Sequence, residues 1–263
     1  IFIVILIIIN KVGGKIMVKA LKKVAGLMTG LAIALGMFVS STPAFAANNI
    51  VSKYSEKANK IIGEVDLSSA SYNIGKEVKK GNKVFYEGNV GGSVEASDLF
   101  EGAYNKYVAD FKNKKDWIFG KRYENLVMFD YGQAFPSIRY TVTFPKNFVI
   151  DEKNITATEN TATIGKIEKS YNKATNSVTF RFFLGSWNDY KGFFSLYEKE
   201  KGALGHLIKV NIPYSVDITN QTVAKLGTIS AKGDCQLYKY GGIFGYGANI
   251  VNIKSSTEFN VIR

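Results

Sequence analysis

Residues 207–218 read LIKVNIPYSVDI. Ile208, Val210, Ile212, Tyr214, Val216 and Ile218 alternate with Lys209, Asn211, Pro213, Ser215 and Asp217. Side chains alternate faces along a strand, so this spacing builds one apolar and one wet sheet face. Pro213 has no N–H for a ladder, which points to an edge or a bulge at that position.

Working outward, the same period recurs in SVTFRFFL, where Val178, Phe180, Phe182 and Leu184 share a face. In SIRYTVTFP, Ile138, Tyr140, Val142 and Phe144 oppose Arg139, Thr141 and Thr143. SYNIGKEV and KVFYEG read as a hairpin turning at Lys80-Gly81-Asn82. Short strands broken by the turn clusters TENTAT, NKATN, TNQ and AKGD predict a mainly β protein. The expected architecture is an Ig-like β-sandwich with a short crossover helix and an N-terminal helix.

Two segments carry helical spacing. GSWNDYKGFFSLYEKEKG (185–202) places Trp187, Tyr190, Phe194 and Tyr197 on one stripe. Ser186 and Asp189 fit a capping box and Gly202 fits the position after the last turn. The stripe suits a short helix closing the open end of a sandwich. A competing reading makes Trp187 and Tyr190 a platform for glycan rings. DLFEGAYNKYVADFKNKKDWIFG (98–120) fits a helix begun by Asp98 and Glu101, and equally two strands joined at NKKD. Ahead of both, Ile50, Val51, Tyr54, Ala58, Ile61, Ile62 and Val65 fit an amphipathic helix with Asn49 as N-cap and Gly63 as stop.

A second aromatic group lies in QLYKYGGIFGYGANIV, where Tyr238, Tyr240, Phe244 and Tyr246 surround Gly241, Gly242, Gly245 and Gly247. Tyrosine and glycine in a loop offer flat faces, a hydroxyl and close backbone approach. These four, with Trp187 and Tyr190, are the candidate ligand-binding residues. A hairpin between two core strands is the plainer alternative.

The first residues, IFIVILIIINKVGGKI, precede Met17 and read as upstream DNA translated by accident. Nine apolar residues rise only ~14 Å as a helix, against a hydrocarbon core of roughly 30 Å. From Met17 the pattern is a secretory signal peptide: Lys19, Lys22 and Lys23, then apolar Val24–Val39, then Ala44-Phe45-Ala46. Cleavage is expected between Ala46 and Ala47, which makes the product secreted or extracellular, with cell-wall association a further option. The expected organisation is 1–16 non-native, 17–46 signal peptide, 47–66 helix or spacer, and 67–263 one adhesion-type domain. No integral membrane span is expected after cleavage.

The formal charge is +12, and removing the five lysines ahead of the cut leaves +7, spread among acids. Such a spread favours weak, salt-sensitive attraction to anionic polymers or membranes and no nucleic acid partner. One cysteine, Cys235, excludes an intramolecular disulfide, so an exported chain must depend on core size. Cys235 reads as a small buried residue. His206 is the one histidine, which disfavours histidine triads and histidine zinc sites. G-x-S-x-G, H-E-x-x-H, the P-loop, the dinucleotide fingerprint and the D-x-D-x-D-G calcium loop are all missing from the sequence. Asp189 with Glu198 or Glu200 is the conceivable glycosidase pair. No enzyme activity, cofactor or metal is expected.

The span YTVTFPKNFVIDEKNITATENTATIGKIEKSYNKATNSVTFRFFLG (140–185) resembles the Ig-like adhesion domains of Gram-positive secreted and cell-surface proteins. A strand ending in FP, the turn NFVIDEKN, ITAT, and a hairpin closing on NSVTFRFFL carry the likeness. The resemblance implies a non-catalytic module that binds a host matrix protein or a wall glycan or polymer, or that spaces other modules. Typical members end in L-P-x-T-G and an apolar tail. STEFNVIR stands here instead, so a truncated, released or noncovalently held form is expected. Some members crosslink a Lys to an Asn, for which Asn260 with Lys83 or Lys146 would be the pair.

Overall fold

In the computed structural model the described residues are 52–54, 60–241 and 246–263. The chain divides into residues 1–44 and 45–263, and all described residues belong to the second unit. The expected signal peptide therefore lies outside the described residues.

The second unit is a β-sandwich of two sheets. The larger runs β1 (Ser52–Tyr54), β2 (Ile61–Val65), β13 (Tyr246–Ile262), β12 (Lys225–Tyr240), β6 (Ser137–Thr143), β10 (Ser177–Leu184) and β9 (Ile164–Asn172), with β5 (Met128–Phe129) also on β12. The smaller runs β3 (Ser71–Lys80), β4 (Lys83–Glu95), β11 (Leu207–Asp217) and β7 (Val149–Ile150), with β8 (Thr156–Glu159) on the same edge of β11. All pairs are antiparallel except β2 with β13.

The alternating runs behave as their period requires. All six apolar residues of β11 and its flank, Ile208 through Ile218, are buried, as are Val178, Phe180, Phe182 and Leu184 of β10. Val142 and Phe144 are buried, while Ile138 and Tyr140 on the same face are half-buried. β3 and β4 pair Lys80 with Lys83 across a two-residue Gly81-Asn82 turn. Pro213 sits in neither an edge strand nor a bulge. β8 pairs with β11 as far as Asn211 and β7 resumes at Tyr214, so the residue without an N–H falls where the outer partner is interrupted.

Two helices join this frame: α1 (Ala96–Asp110) follows β4, and α2 (Tyr190–Glu198) links β10 to β11. The ambiguous segment 98–120 is thus helical in its first part. The helix begins two residues before Asp98, with no side-chain cap from Glu95, so the expected capping box does not form. In α2, Asp189 itself is the N-cap and accepts from the Gly192 N–H at 2.7 Å, displacing Ser186 from that role.

The segment expected as an N-terminal helix differs. Its described parts, Ser52–Tyr54 and Ile61–Val65, are strands. Ile61 and Val65 are both buried. A spacing of four keeps two side chains on one face in a strand as well as in a helix, and the parallel partner β13 decides between them.

Candidate functional site

One end of the sandwich is densely filled. Phe148 and Tyr214 lie 5.2 Å apart between ring centroids, and Phe144 and Tyr214 5.8 Å. At the other end the sheets are spanned by α1 and α2, whose rings interlock. Phe100 meets Phe193 edge-on at 5.1 Å, Tyr107 stacks on Phe194 at 4.7 Å and Phe111 on Tyr190 at 4.8 Å. Hydroxyls finish the joint: Tyr197 donates to the Ser97 carbonyl at 2.9 Å and Tyr104 to Glu198 at 2.8 Å. Burial pushes the Tyr107 phenol up to about 12, with the carboxylates of Glu124 and Glu198 adding to the shift. These rings serve as packing surface and hold their protons.

Beneath the helices lies a cavity of about 160 Å³. Phe182, Leu184, Cys235 and Leu237 line it from the larger sheet, Ile208 and Val210 from the smaller. Leu99, Phe100 and Ala103 of α1 and Phe193 of α2 form its roof. Among the described residues, none of the buried polar side chains lines it. Half-exposed Leu67 and Leu99 and exposed Trp187 also border it, so the cavity reaches the surface. Trp187 is held there by close approach: a Cβ on Gly192 would stand 2.5 Å from the Trp187 Cβ. Burial raises the Cys235 thiol above its ordinary range, which keeps it protonated and unreactive at neutral pH. Such a space can take an apolar ring or alkyl group and offers little to orient a polar one.

The six candidate binding residues divide. Tyr190 is a core residue, 2% exposed, with its hydroxyl donating to the Ile250 carbonyl at 3.3 Å. It borders the cavity but presents no free platform to solvent. Trp187 stands at the cavity border, 54% exposed. Tyr238 and Tyr240 lie on β12 next to β5 and form a separate cluster. Tyr240 meets Phe129 edge-on at 5.7 Å, and Tyr238 meets Tyr131 at 6.5 Å. Phe244 lies outside the described residues. Tyr246 pairs by register with Tyr240. Phe129 and Tyr131 were not among the expected residues; Phe129 belongs to the two-residue strand β5 and Tyr131 to the three-residue turn after it, and both are too short to show a period.

Next to Tyr131 in the chain, fully buried Asp130 is bracketed by Arg139 at 2.7 Å and Arg181 at 3.2 Å, and accepts from Ser137. The ion pairs tie the outer face of β6 and β10 to the turn that carries Tyr131. A buried carboxylate satisfied by two guanidiniums is a structural anchor.

The acids considered for catalysis each have another task. Asp189 caps α2, and Glu198 takes the Tyr104 hydroxyl and the Lys112 ammonium, each at 2.8 Å. Glu200 is buried, accepting from the Ala162 N–H and the Thr161 hydroxyl and standing 3.1 Å from His206 Nδ1. No group of three or more metal-ligating side chains occurs among the described residues. The side chains weighed for a crosslink are engaged elsewhere: Lys83 with Asp217, Lys146 with the Ala174 carbonyl, and Asn260 with the Thr228 hydroxyl. No helix among the described residues is long and apolar enough to cross a membrane.

No known protein-family model matches the chain, and no curated protein matches it in sequence.

Proposed function

We propose that this chain is an exported, non-catalytic binding module of the Ig-like adhesion type, and that its ligand places an apolar group between the two sheets. The observation that carries the reading is the cavity, lined by both sheets and both helices and, among the described residues, bordered by none of the fully buried polar side chains. A packed interior leaves few voids larger than a water molecule, and dry apolar cavities of roughly this size take up benzene-sized molecules. The ligand class is therefore a small aromatic or short alkyl compound, or such a moiety of a larger host or wall component. Export is supported by the apolar run Val24–Val39 followed by Ala44-Phe45-Ala46. The Ig-like assignment is supported by a chain that crosses between the sheets after β2, β4, β6, β8, β10 and β11.

The test is binding of an environment-sensitive apolar dye, N-phenyl-1-naphthylamine, to the wild type and to Ala103→Phe and Val210→Phe, which fill the cavity from the roof and from the smaller sheet. Wild type should enhance the dye signal, short alkanols should displace it, and both fillings should remove it while unfolding stays cooperative. Equal enhancement by all three proteins would place the dye elsewhere and end the cavity reading.

A second reading has its own support in the exposed cluster of Tyr131 and Tyr240, 71% and 52% accessible, which suits stacking on a host peptide or wall glycan. Loss of cell or glycan retention in Tyr131→Ala/Tyr240→Ala, with dye binding intact, would favour it.

A further inference from the structure

The sequence DWIFG (116–120) ends in neither a strand nor a helix but in a tip. Trp117 is 93% exposed, Phe119 75% and Ile118 61%. Three consecutive large apolar side chains in water are unfavourable for an isolated protein and mark a contact surface. The tip is also built. The Asp116 N–H donates to the Lys121 carbonyl at 2.9 Å, and Asp116 Oδ1 accepts from the Phe119 N–H at 2.7 Å. Gly120 completes the reversal with φ of 61°, a conformation that suits glycine. Lys115 and Arg122 pair across the neck, and the Tyr123 N–H donates to the Lys114 carbonyl at 3.1 Å. At the base, buried Glu124 accepts from the Asn113 N–H at 3.1 Å and from Arg122 at 3.0 Å. The backbone therefore holds the three side chains outward.

The charges around the tip have one sign. Residues 112–122 carry five cations, Lys112, Lys114, Lys115, Lys121 and Arg122, against one acid, Asp116, for a net +4. Asp116 is turned into the backbone of the tip. Lys114, Lys115, Lys121 and Arg122 are exposed. Lys112 leans toward Glu198, Lys114 toward Asp110 and Arg122 toward Glu124, whereas Lys115 and Lys121 form no ion pair among the described residues.

We infer that this tip inserts into the interface of an anionic phospholipid bilayer, with Trp117, Ile118 and Phe119 among the acyl boundary and the surrounding cations at the headgroups. Trp is favoured at that depth, and Lys and Arg beside an apolar wedge gain from anionic lipid. A protein partner fits less well. Trp and Phe bury roughly 150–250 Å² each, so a three-residue convex tip falls short of the ~1,000 Å² that a specific protein interface needs. A bilayer needs no matching pocket. The inference is independent of the cavity.

The chain has two tryptophans, so Trp187→Phe leaves Trp117 as sole reporter. Fluorescence of this variant is titrated with phosphatidylcholine vesicles, with and without phosphatidylglycerol, containing lipids brominated near the headgroup end of the acyl chain. If Trp187→Phe is unstable, the difference between wild type and Trp117→Phe supplies the same signal. A blue shift with quenching on anionic vesicles is expected. Phe119→Ala should weaken the apparent partitioning about tenfold or more. Lys115→Glu/Lys121→Glu should weaken it similarly at low salt and much less at 1 M salt. Because the readout is Trp117 itself, attachment through the apolar N-terminal residues does not mimic it. Unchanged Trp117 emission on anionic vesicles, or equal quenching by neutral and anionic vesicles, would overturn the inference. So would a response of Trp117 to a protein partner but not to lipid.

Discussion

The segments WNDYKGFFSLY (187–197) and DWIFG (116–120) are both dense in aromatic residues, yet one lies mostly in the core and the other projects into solvent. In the first, Tyr190, Phe193, Phe194 and Tyr197 are 1–8% exposed and interlock with α1. In the second, Trp117 and its two neighbours are consecutive and held on a turn. Helical spacing gathers rings on one side, where a second helix can cover them. Three adjacent side chains on a reversing backbone splay apart, so no single neighbour can cover all three. Aromatic content alone predicts neither fate; spacing and the polar anchors beneath do.

That contrast can be broken by substitution. The largest effect is expected at Phe194, which packs on Tyr107 and Tyr104: Phe194→Ala should cost about 3–5 kcal/mol in a urea melt. Glu124→Ala comes next, at about 1–3 kcal/mol, because the Asn113 N–H and Arg122 lose their buried acceptor. The same variant should expose the neck of the tip to proteolysis near Lys115. Asp189→Ala removes the α2 cap and should cost about 1 kcal/mol.

Acid should act on the same joints. Burial pushes the Glu124 carboxyl up, but the Asn113 N–H and the Arg122 and Lys191 charges more than offset it, leaving it below the ordinary 4.5. Glu198 is likewise lowered, first by its hydrogen bond from Lys112. A depressed carboxyl stabilises the fold fully above its unfolded value and loses that contribution as pH falls through the folded one. Stability should therefore decline from about pH 4.5 downward, and less steeply in Glu124→Ala, as read from melting temperature against pH. The smallest effect belongs to the tip. Trp117→Ala should alter folding stability by no more than about 0.5 kcal/mol, since the side chain covers nothing. A larger loss would show that the tip packs in solution and would weaken its reading as an insertion loop.

The sheet frame was legible because its strands carry a strict period of two. Every inward residue from Ile208 to Ile218 could be assigned from alternation alone. The α2 stripe was legible for the same reason at a different period from Tyr190 to Tyr197, whereas Trp187 precedes the helix and is exposed, and the cap was read three residues early. Ile61 and Val65 misled because their spacing serves both periods, and only β13 shows which applies. The cavity had no signature, since it is a volume left between correctly patterned elements. Nor had the cluster of Tyr131 and Tyr238, whose partners stand 107 positions apart and meet through the short strand β5. The exposed tip was written in three adjacent letters, but adjacency gives no face, and it could equally have ended a strand.

The parallel pairing of β2 with β13 has a mechanical consequence. Ile61–Glu64 face Val251–Lys254 along the same direction. Tension drawing the N-terminal side of β2 away from the C-terminal end of β13 would slide the two past each other, loading all the rungs together. An antiparallel pair pulled from its open end parts one rung at a time.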